Sequence, residues 1–503
     1  MSDSELPKRG SGRPDRWERR PKRGPATTGK PGAPGGTVGD GGRGKPDARP
    51  AGGDGPSRGR GEGRPQRDRG DGAPRGPRAS GTGRPDHRPG PDKAGAARRA
   101  AHQVIVRSLR DGAFADRALH GVAGDLDPRE RGQAKRIAFG AIQRRLTLDH
   151  VIGKHVDREL DVEVRAALHV GLYELLFSDG VPPRAAVASA VELAKPNIGF
   201  KLVNAVLRRV AEASGAEDGH RTKGLIPADD TPEGAAIRHS HPLWLVKRWW
   251  EWLGPNATRA LLAAGNQPVE LVLRANGLRA ERAAAEGLVV PGEAFDEAIP
   301  EARRVVGPLD VLADPAWHAG VYVAMSYGSQ VAARAVDPQP GERVLDLCAA
   351  PGGKTTHIAD LMRGEGHVLA LEKHGGRARA LRRTCERVGA TNVEVVHADA
   401  LEHALDAGSF DRVLLDAPCS GLGTLASHPD LRWRVQEQDL RELERLQARL
   451  LDVAQRAVRD GGRIVYSVCT LNPGEERQTD GDVRRLYPHR DRTDGFYVSA
   501  VGG

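Results

Sequence analysis

The chain has 503 residues, 28% of them charged and 4% aromatic, with a formal net charge of +9. That length admits two or three domains, and it holds no apolar run of about 18 residues that would cross a membrane and no secretory h-region after Met1. Its four cysteines, Cys348, Cys385, Cys419 and Cys469, contain no C-x-x-C pair. Neither structural zinc nor a disulfide scaffold is therefore expected, and reduced thiols fit a cytoplasmic protein.

Residues 1–95 hold 22 Lys/Arg against 12 Asp/Glu, or +10, so the other 408 residues sum to about −1. The basic balance belongs to this segment alone. It also carries 24 Gly and 15 Pro interleaved with arginine, as in GRGEGRPQRDRG. Such a composition buries too little apolar surface to offset its ordering entropy, and disorder is predicted. Two roles fit it, a weak RNA-binding arm or a solubilising tail without a partner.

Residues 96–215 are helical in pattern. Asp127 suits an N-cap, with Pro128 at the first helical position and Glu130 at the third. Ile137, Phe139, Ile142 and Leu146 then fall on roughly one face. DVEVRAALHVGLYELLF and KLVNAVLRRVAEA predict two more amphipathic helices, punctuated by Pro182-Pro183 and Pro196, and a bundle of five to seven helices is expected. Residues 216–240 read as a polar linker. Residues 241–325 begin with HPLWLVKRWWEWLG and suggest a small α+β subdomain. Trp244, Trp249, Trp250 and Trp252 crowd together there; indoles can stack on unpaired bases, but burial in an amphipathic helix explains most of them.

From 326 to 503 strands alternate with helices. Strands are predicted at 343–347, 367–371, 393–397, 411–415 and 463–468, with helices at 354–363, 376–388 and 434–459. The pattern implies an α/β domain with a parallel, doubly wound sheet, whose ligand crevice lies at the C-terminal strand ends. At the centre is ERVLDLCAAPGGKTTHIA, where strand, glycine turn and helix N-terminus make a cradle for a nucleotide-like ligand.

Those strand ends carry polar or reactive groups. The first strand leads into the turn Cys348, Ala349, Ala350, Pro351, Gly352, Gly353 and Lys354. The second ends in Glu372, placed to accept from two ribose hydroxyls. The third is followed by Asp399, the fourth ends in Asp416, and Cys419 and Cys469 lie past the fourth and fifth. Successive strand-end carboxylates point to one nucleoside ligand. GGKTT imitates the end of a P-loop, but Cys348 stands where that motif needs its first glycine, and Glu372 would have no task. Cys385 reads as inert helix core. If the fourth and fifth strands are neighbours, Cys419 and Cys469 overhang one crevice and are chemical rather than packing residues.

LDLCAAPGGKT, DAPCSGLG and YSVCTLNPGEE resemble the motifs of S-adenosylmethionine-dependent RNA cytosine-5 methyltransferases. GLYELLF and VNAVLRR resemble the helical RNA-binding domain of the NusB antitermination family; the residues alone also fit a plain packing domain. Together they resemble the RsmB (Fmu/Sun) group, over about residues 96–503. The resemblance implies a Rossmann-like core behind a NusB-like bundle, S-adenosylmethionine as cofactor without metal, and small-subunit (16S) ribosomal RNA as partner. It makes Cys348 to Lys354 the methionine cradle and gives Glu372 the ribose, Asp399 the adenine, and Asp416 both cofactor and base. Cys469 becomes the nucleophile and Cys419 the aid to product release. Transfer RNA as substrate, or a non-catalytic NusB-like RNA-binding protein, are the alternatives, and a monomer is favoured. One departure is notable: where the group often has arginines ahead of His428-Pro429-Asp430, this chain has Ala426 and Ser427.

Overall fold

The computed structural model describes residues 94–195, 197–214, 222–268, 270–477 and 481–502. The Gly/Pro/Arg segment expected to be disordered lies, up to residue 93, outside the described residues. No helix among the described residues is long and apolar enough to cross a membrane.

Seven helices build the N-terminal bundle: α1 (Ala96–Arg110), α2 (Ala115–Val122), α3 (Pro128–Gln143), α4 (Arg145–Gly153), α5 (Val162–Phe177), α6 (Pro183–Ala194) and α7 (Phe200–Ala213). The start of α3 is a reciprocal cap: the Asp127 carboxylate accepts from Glu130 N at 2.8 Å, and Glu130 Oε2 from Asp127 N at 3.4 Å. The apolar run after it divides into two helices at Arg144, which leaves helical geometry at φ −91°, ψ 10°. α5 differs from the amphipathic helix expected. It is the central helix, buried on nearly every face from Val164 to Leu176. Its polar residues are paired: Glu174 takes two 2.9 Å bonds from Arg98, and His169 meets Asp149 at 2.8 Å. Leu168 and Leu172 are wholly buried there, each worth about 1.5–3 kcal/mol of transfer free energy.

The segment read as a linker folds in part. Leu225 and Ile226 pack into the bundle core, and α8 (Pro232–His239) starts at Thr231, whose hydroxyl accepts from Gly234 N at 3.1 Å. A few apolar residues among many polar ones suffice to anchor it. Helices α9 (Leu243–Leu253) and α10 (Pro255–Ala264) lead to the subdomain: β1 (Val272–Ala275), α11 (Ala280–Glu286), β2 (Glu293–Asp296), β3 (Ile299–Arg304), α12 (Pro315–His318) and β4 (Tyr322–Ala324). Its sheet is antiparallel, in the order β2-β3-β1-β4.

The C-terminal domain comprises α13 (Tyr327–Ala335), β5 (Arg343–Asp346), α14 (Gly353–Leu361), β6 (His367–Leu371), α15 (Gly375–Val388), β7 (Val393–Val396), β8 (Phe410–Asp416), α16 (Leu431–Arg434), α17 (Glu437–Ala457), β9 (Val458–Val468), β10 (Val483–Leu486) and β11 (Phe496–Gly502). The sheet order is β10-β11-β9-β8-β5-β6-β7. β5 to β9 are parallel, as expected, but β11 and β10 add an antiparallel edge, so the sheet is mixed. β10 is VRRL, too charged to announce a strand. Chain order reverses between β5 and β8, which opens a crevice at their C-terminal ends.

Two buried arginines tie the domains to this core. Arg274 of β1 reaches Asp360 on α14 at 2.6 Å and Thr356 Oγ1 at 3.3 Å, so the subdomain grips the helix behind the glycine turn. Arg432 of α16 has no carboxylate partner among the described residues. Its guanidinium donates to Gln143 O (3.3 Å), Ser240 O (3.1 Å), Leu425 O (3.4 Å) and Asn266 Oδ1 (2.8 Å). Beside it Trp433 Nε1 donates to Ile142 O at 2.8 Å. The end of α3 and the loop beyond Cys419 thus share one joint.

Candidate active site

The turn after β5 is forced by its backbone. Gly352 has φ +104°, and a Cβ there would meet Leu381 Cδ1 at 2.4 Å, so only glycine fits. Ala349 N donates to Leu371 O at 2.9 Å, and Arg377 donates to Ala350 O, which fixes the run Cys348–Lys354 between β6 and α15. Glu372, 4% exposed, ends β6 and accepts from His374 N at 2.8 Å, with Arg377 at 3.5 Å from its other oxygen. Asp399 accepts from Leu401 N at 3.0 Å and pairs with Lys373 at 2.7 Å, a bond that holds its carboxyl below the usual range. Its recorded bonds go to these two residues and not to the turn.

Asp416 joins the two halves of the crevice. Its Oδ2 accepts from Lys354 Nζ at 2.8 Å and its Oδ1 from Ser467 Oγ at 2.7 Å. Burial works against the Lys354 charge, but the Asp416 carboxylate more than offsets it and raises the amine above its ordinary value; Cys469 acts on it in the same sense. Lys354 Nζ also lies 3.3 Å from Ser329 Oγ. A lysine so engaged is not held ready for a phosphate.

β8 and β9 are neighbours, and Cys419 and Cys469 beyond their ends stand with their sulfurs 3.4 Å apart. The hydrogen bond to Cys469, together with burial, pushes the Cys419 thiol well above its ordinary range. Either sulfur can be the donor across this contact. Cys385 is buried in α15, and burial pushes its thiol up to about 11.

Two contributors, Asp346 and Glu475, were not singled out from sequence; Trp249 was, and is buried as expected for most of its cluster. Asp346, 1% exposed at the end of β5, accepts from Thr355 Oγ1 at 2.8 Å; burial pushes its carboxyl up to about 7. The strand-end reasoning that found Glu372 applied equally to it. Glu475 is wholly buried and braces both cysteine loops. It accepts from Ser420 N (2.8 Å), Ser420 Oγ (2.5 Å), Gln447 Nε2 (3.0 Å), Thr470 Oγ1 (3.1 Å) and Asn472 Nδ2 (3.1 Å). Ser420 and Thr470 directly follow the two cysteines, a convergence that only the tertiary fold creates. Trp249, 1% exposed, donates from Nε1 to Leu471 O at 2.8 Å, while Arg248 donates to Asn472 Oδ1 at 2.7 Å. At least this indole serves the Cys469 loop rather than an open stacking face.

The fold has recognisable relatives. Residues 333–480 match the model of the 16S rRNA methyltransferase RsmB/F family, residues 95–212 that of the NusB family, and residues 241–288 a Methyltr_RsmF/B-like, ferredoxin-like domain. The ribosomal RNA small subunit methyltransferase B of Sodalis glossinidius is 33% identical over 392 residues, covering 76% of this chain and 86% of its own. The chain belongs to the ribosomal RNA small subunit methyltransferase B family. A Synechocystis sp. protein of the same description, with the qualifier "Probable", is 36% identical over 403 residues, covering 77% and 87% of the two chains. The crystal structure of PH0851 aligns with a TM-score of 0.62 at 26% identity, covering 80% of this chain and 98% of that one. The NusB match thus lies N-terminal to the methyltransferase match.

The crevice fits a sulfonium nucleoside. Burial raises the Cys348 thiol, and the carboxylates of Asp346, Asp416 and Glu372 raise it further. Acidic groups thus converge on one point of the turn, with Lys354 paired to Asp416 and Arg377 beside Glu372. Glu372 is buried just beyond β6, and Gly352 leaves no side chain in the turn, so a nucleoside has room between them.

Proposed function

We propose that this chain transfers a methyl group from S-adenosylmethionine to C5 of a cytosine in RNA, with small-subunit ribosomal RNA as the substrate and a covalent cysteine–C6 adduct on the way. The 3.4 Å contact between Cys419 and Cys469, at adjoining strand ends beside Asp416, carries the reading. Cytosine C5 is too weak a nucleophile to take a methyl unaided. A thiolate that adds at C6 makes C5 enamine-like.

In this reading Cys469 makes the S–C6 bond. Asp416 meets N3 as a carboxyl group and donates its proton there as negative charge develops; Lys354 and Ser467 hold the side chain in place. Bound S-adenosylmethionine supplies an electrophilic methyl on a cationic sulfur. Cys348 to Lys354 form the turn that seats it, Glu372 accepts from its ribose, and Asp399 borders its adenine. The C5 proton then leaves to water, its C–H electron pair forms the C5=C6 bond and the S–C6 pair returns to sulfur; Cys419, its sulfur 3.4 Å from that of Cys469, assists that release. The target base must leave its stack to reach both groups.

The test uses unmodified 16S ribosomal RNA transcript, the purified chain and S-adenosylmethionine. Bisulfite sequencing should report one newly protected cytosine. Methyl transfer to another atom or another base would overturn the reading, even with ribosomal RNA still the substrate.

A further inference from the structure

A groove of about 650 Å³ separates the helical bundle from the loop that continues beyond Cys419. Phe114, Arg117, Arg131 and Lys135, from α2, α3 and the residue before α2, line one side. Ser427, His428 and Asp430 line the other. Among the described residues, none of the three cations is in an ion pair. Arg131 donates only to the backbone of Leu126, at 3.2 Å. Lys135 and Arg117 lie 5.5 and 5.0 Å from the ring centres of Phe139 and Phe114. Of the lining carboxylates, Asp430 is neutralised by Arg434 at 3.1 Å, and Asp116 is left. Three uncommitted cations facing one free carboxylate, at the rim of a groove this long, call for an anionic chain.

The catalytic side cannot supply that charge. From Ser420 to Ser427 the loop reads SGLGTLAS, without a lysine or arginine. The bundle brings the cations to the place where the loop lacks them. The joint at Arg432 and Trp433 fixes the two walls together, so the groove does not depend on transient approach.

We propose that this groove carries the phosphodiester backbone of the substrate RNA next to its target nucleotide, with Arg117, Arg131 and Lys135 as the phosphate contacts. Phosphate contacts set position and register rather than sequence. The groove therefore places the strand, and the cysteine loops act on whichever base is delivered. The inference rests on the RNA reading above, but its test does not require C5 chemistry.

The test compares the full chain with the Arg117→Glu, Arg131→Glu, Lys135→Glu triple variant, using unmodified 16S ribosomal RNA transcript. Each lost phosphate contact lowers the slope of log K against log salt by roughly 0.7–0.9, so a fall of about 2–3 is expected. KM for RNA should rise at least about tenfold, with kcat at saturating RNA and S-adenosylmethionine affinity little changed. An Arg117→Lys, Arg131→Lys variant keeps the charges and should restore most of the salt slope. A triple variant that melts like the parent and keeps its RNA affinity and salt slope would overturn the proposal. Such a result would leave the groove to a protein partner. If the parent binds RNA with the expected slope but modifies no C5, the reaction assigned above fails while the groove stands.

Discussion

Cys419 and Cys469 lie fifty residues apart in sequence and 3.4 Å apart at sulfur. Two parallel strands, β8 and β9, end side by side and present them together. Only the tertiary fold brings the two thiols within reach of each other.

Cys469→Ala should form no covalent RNA adduct and transfer no methyl, while still binding cofactor. Cys419→Ala should attack and methylate, then fail to let go, and accumulate as a protein–RNA adduct on a denaturing gel. The order of steps dictates this, because attack precedes transfer and release follows it. Adduct from Cys469→Ala and none from Cys419→Ala would reverse the assignment.

Glu475→Gln turns an acceptor of five hydrogen bonds into a group that must point an NH2 at some of those donors. Leaving even one buried donor unpaired costs about 1–3 kcal/mol. Urea unfolding should show that loss, and methyl transfer should fall further than stability does, because Ser420 and Thr470 anchor both cysteines. An unchanged midpoint and unchanged rate would mean that the carboxylate braces nothing.

Asp346 gives the chain a pH signature. Its folded carboxyl is pushed up to about 7, above the unfolded value of about 4. The folded state therefore holds a proton that the unfolded state has released across that window. Its contribution is fully present below pH about 4 and is lost as pH rises through about 7. Asp346→Asn should flatten the decline, seen as a smaller difference between urea midpoints at pH 5 and pH 7.5. A parent protein whose stability does not fall between these pH values would refute the burial argument.

Glu372→Ala should weaken S-adenosylmethionine binding by about 1–3 kcal/mol, the worth of a hydrogen bond to a charged group. Calorimetric titration without added metal measures it. Binding of ATP as tight as this, and dependent on Mg²⁺, would restore the P-loop reading of GGKTT.

Much of this was legible because it is local. The Asp127 cap, the glycine turn and the alternation of apolar strands with helices each write their own short pattern. The same strand-end logic singled out Glu372, Asp399 and Asp416 as candidates. Asp346 falls under the same logic, but it lies inside the apolar strand pattern, and only its burial and its bond to Thr355 mark it out. The partners of Glu475, Gln447 and Trp249 could not be read. They are Ser420, Pro418 and Leu471, brought in by the crossing of elements far apart in the chain. The polar look of residues 216–240 hid a short helix that buries Ala235 and Ala236.

The joint at Arg432 limits how this protein can be rebuilt. Its guanidinium is solvated by carbonyl oxygens that belong to other parts of the chain, Gln143 from the bundle and Ser240 from the stretch before α9. A catalytic half cut free at residue 240 would face water with a cationic socket half unlined and an indole, Trp433, stripped of its cover. The bundle and the core should accordingly melt as one cooperative unit in calorimetry. Anyone who grafts a different RNA-reading bundle onto this core must also import a ring of backbone acceptors shaped to receive an arginine.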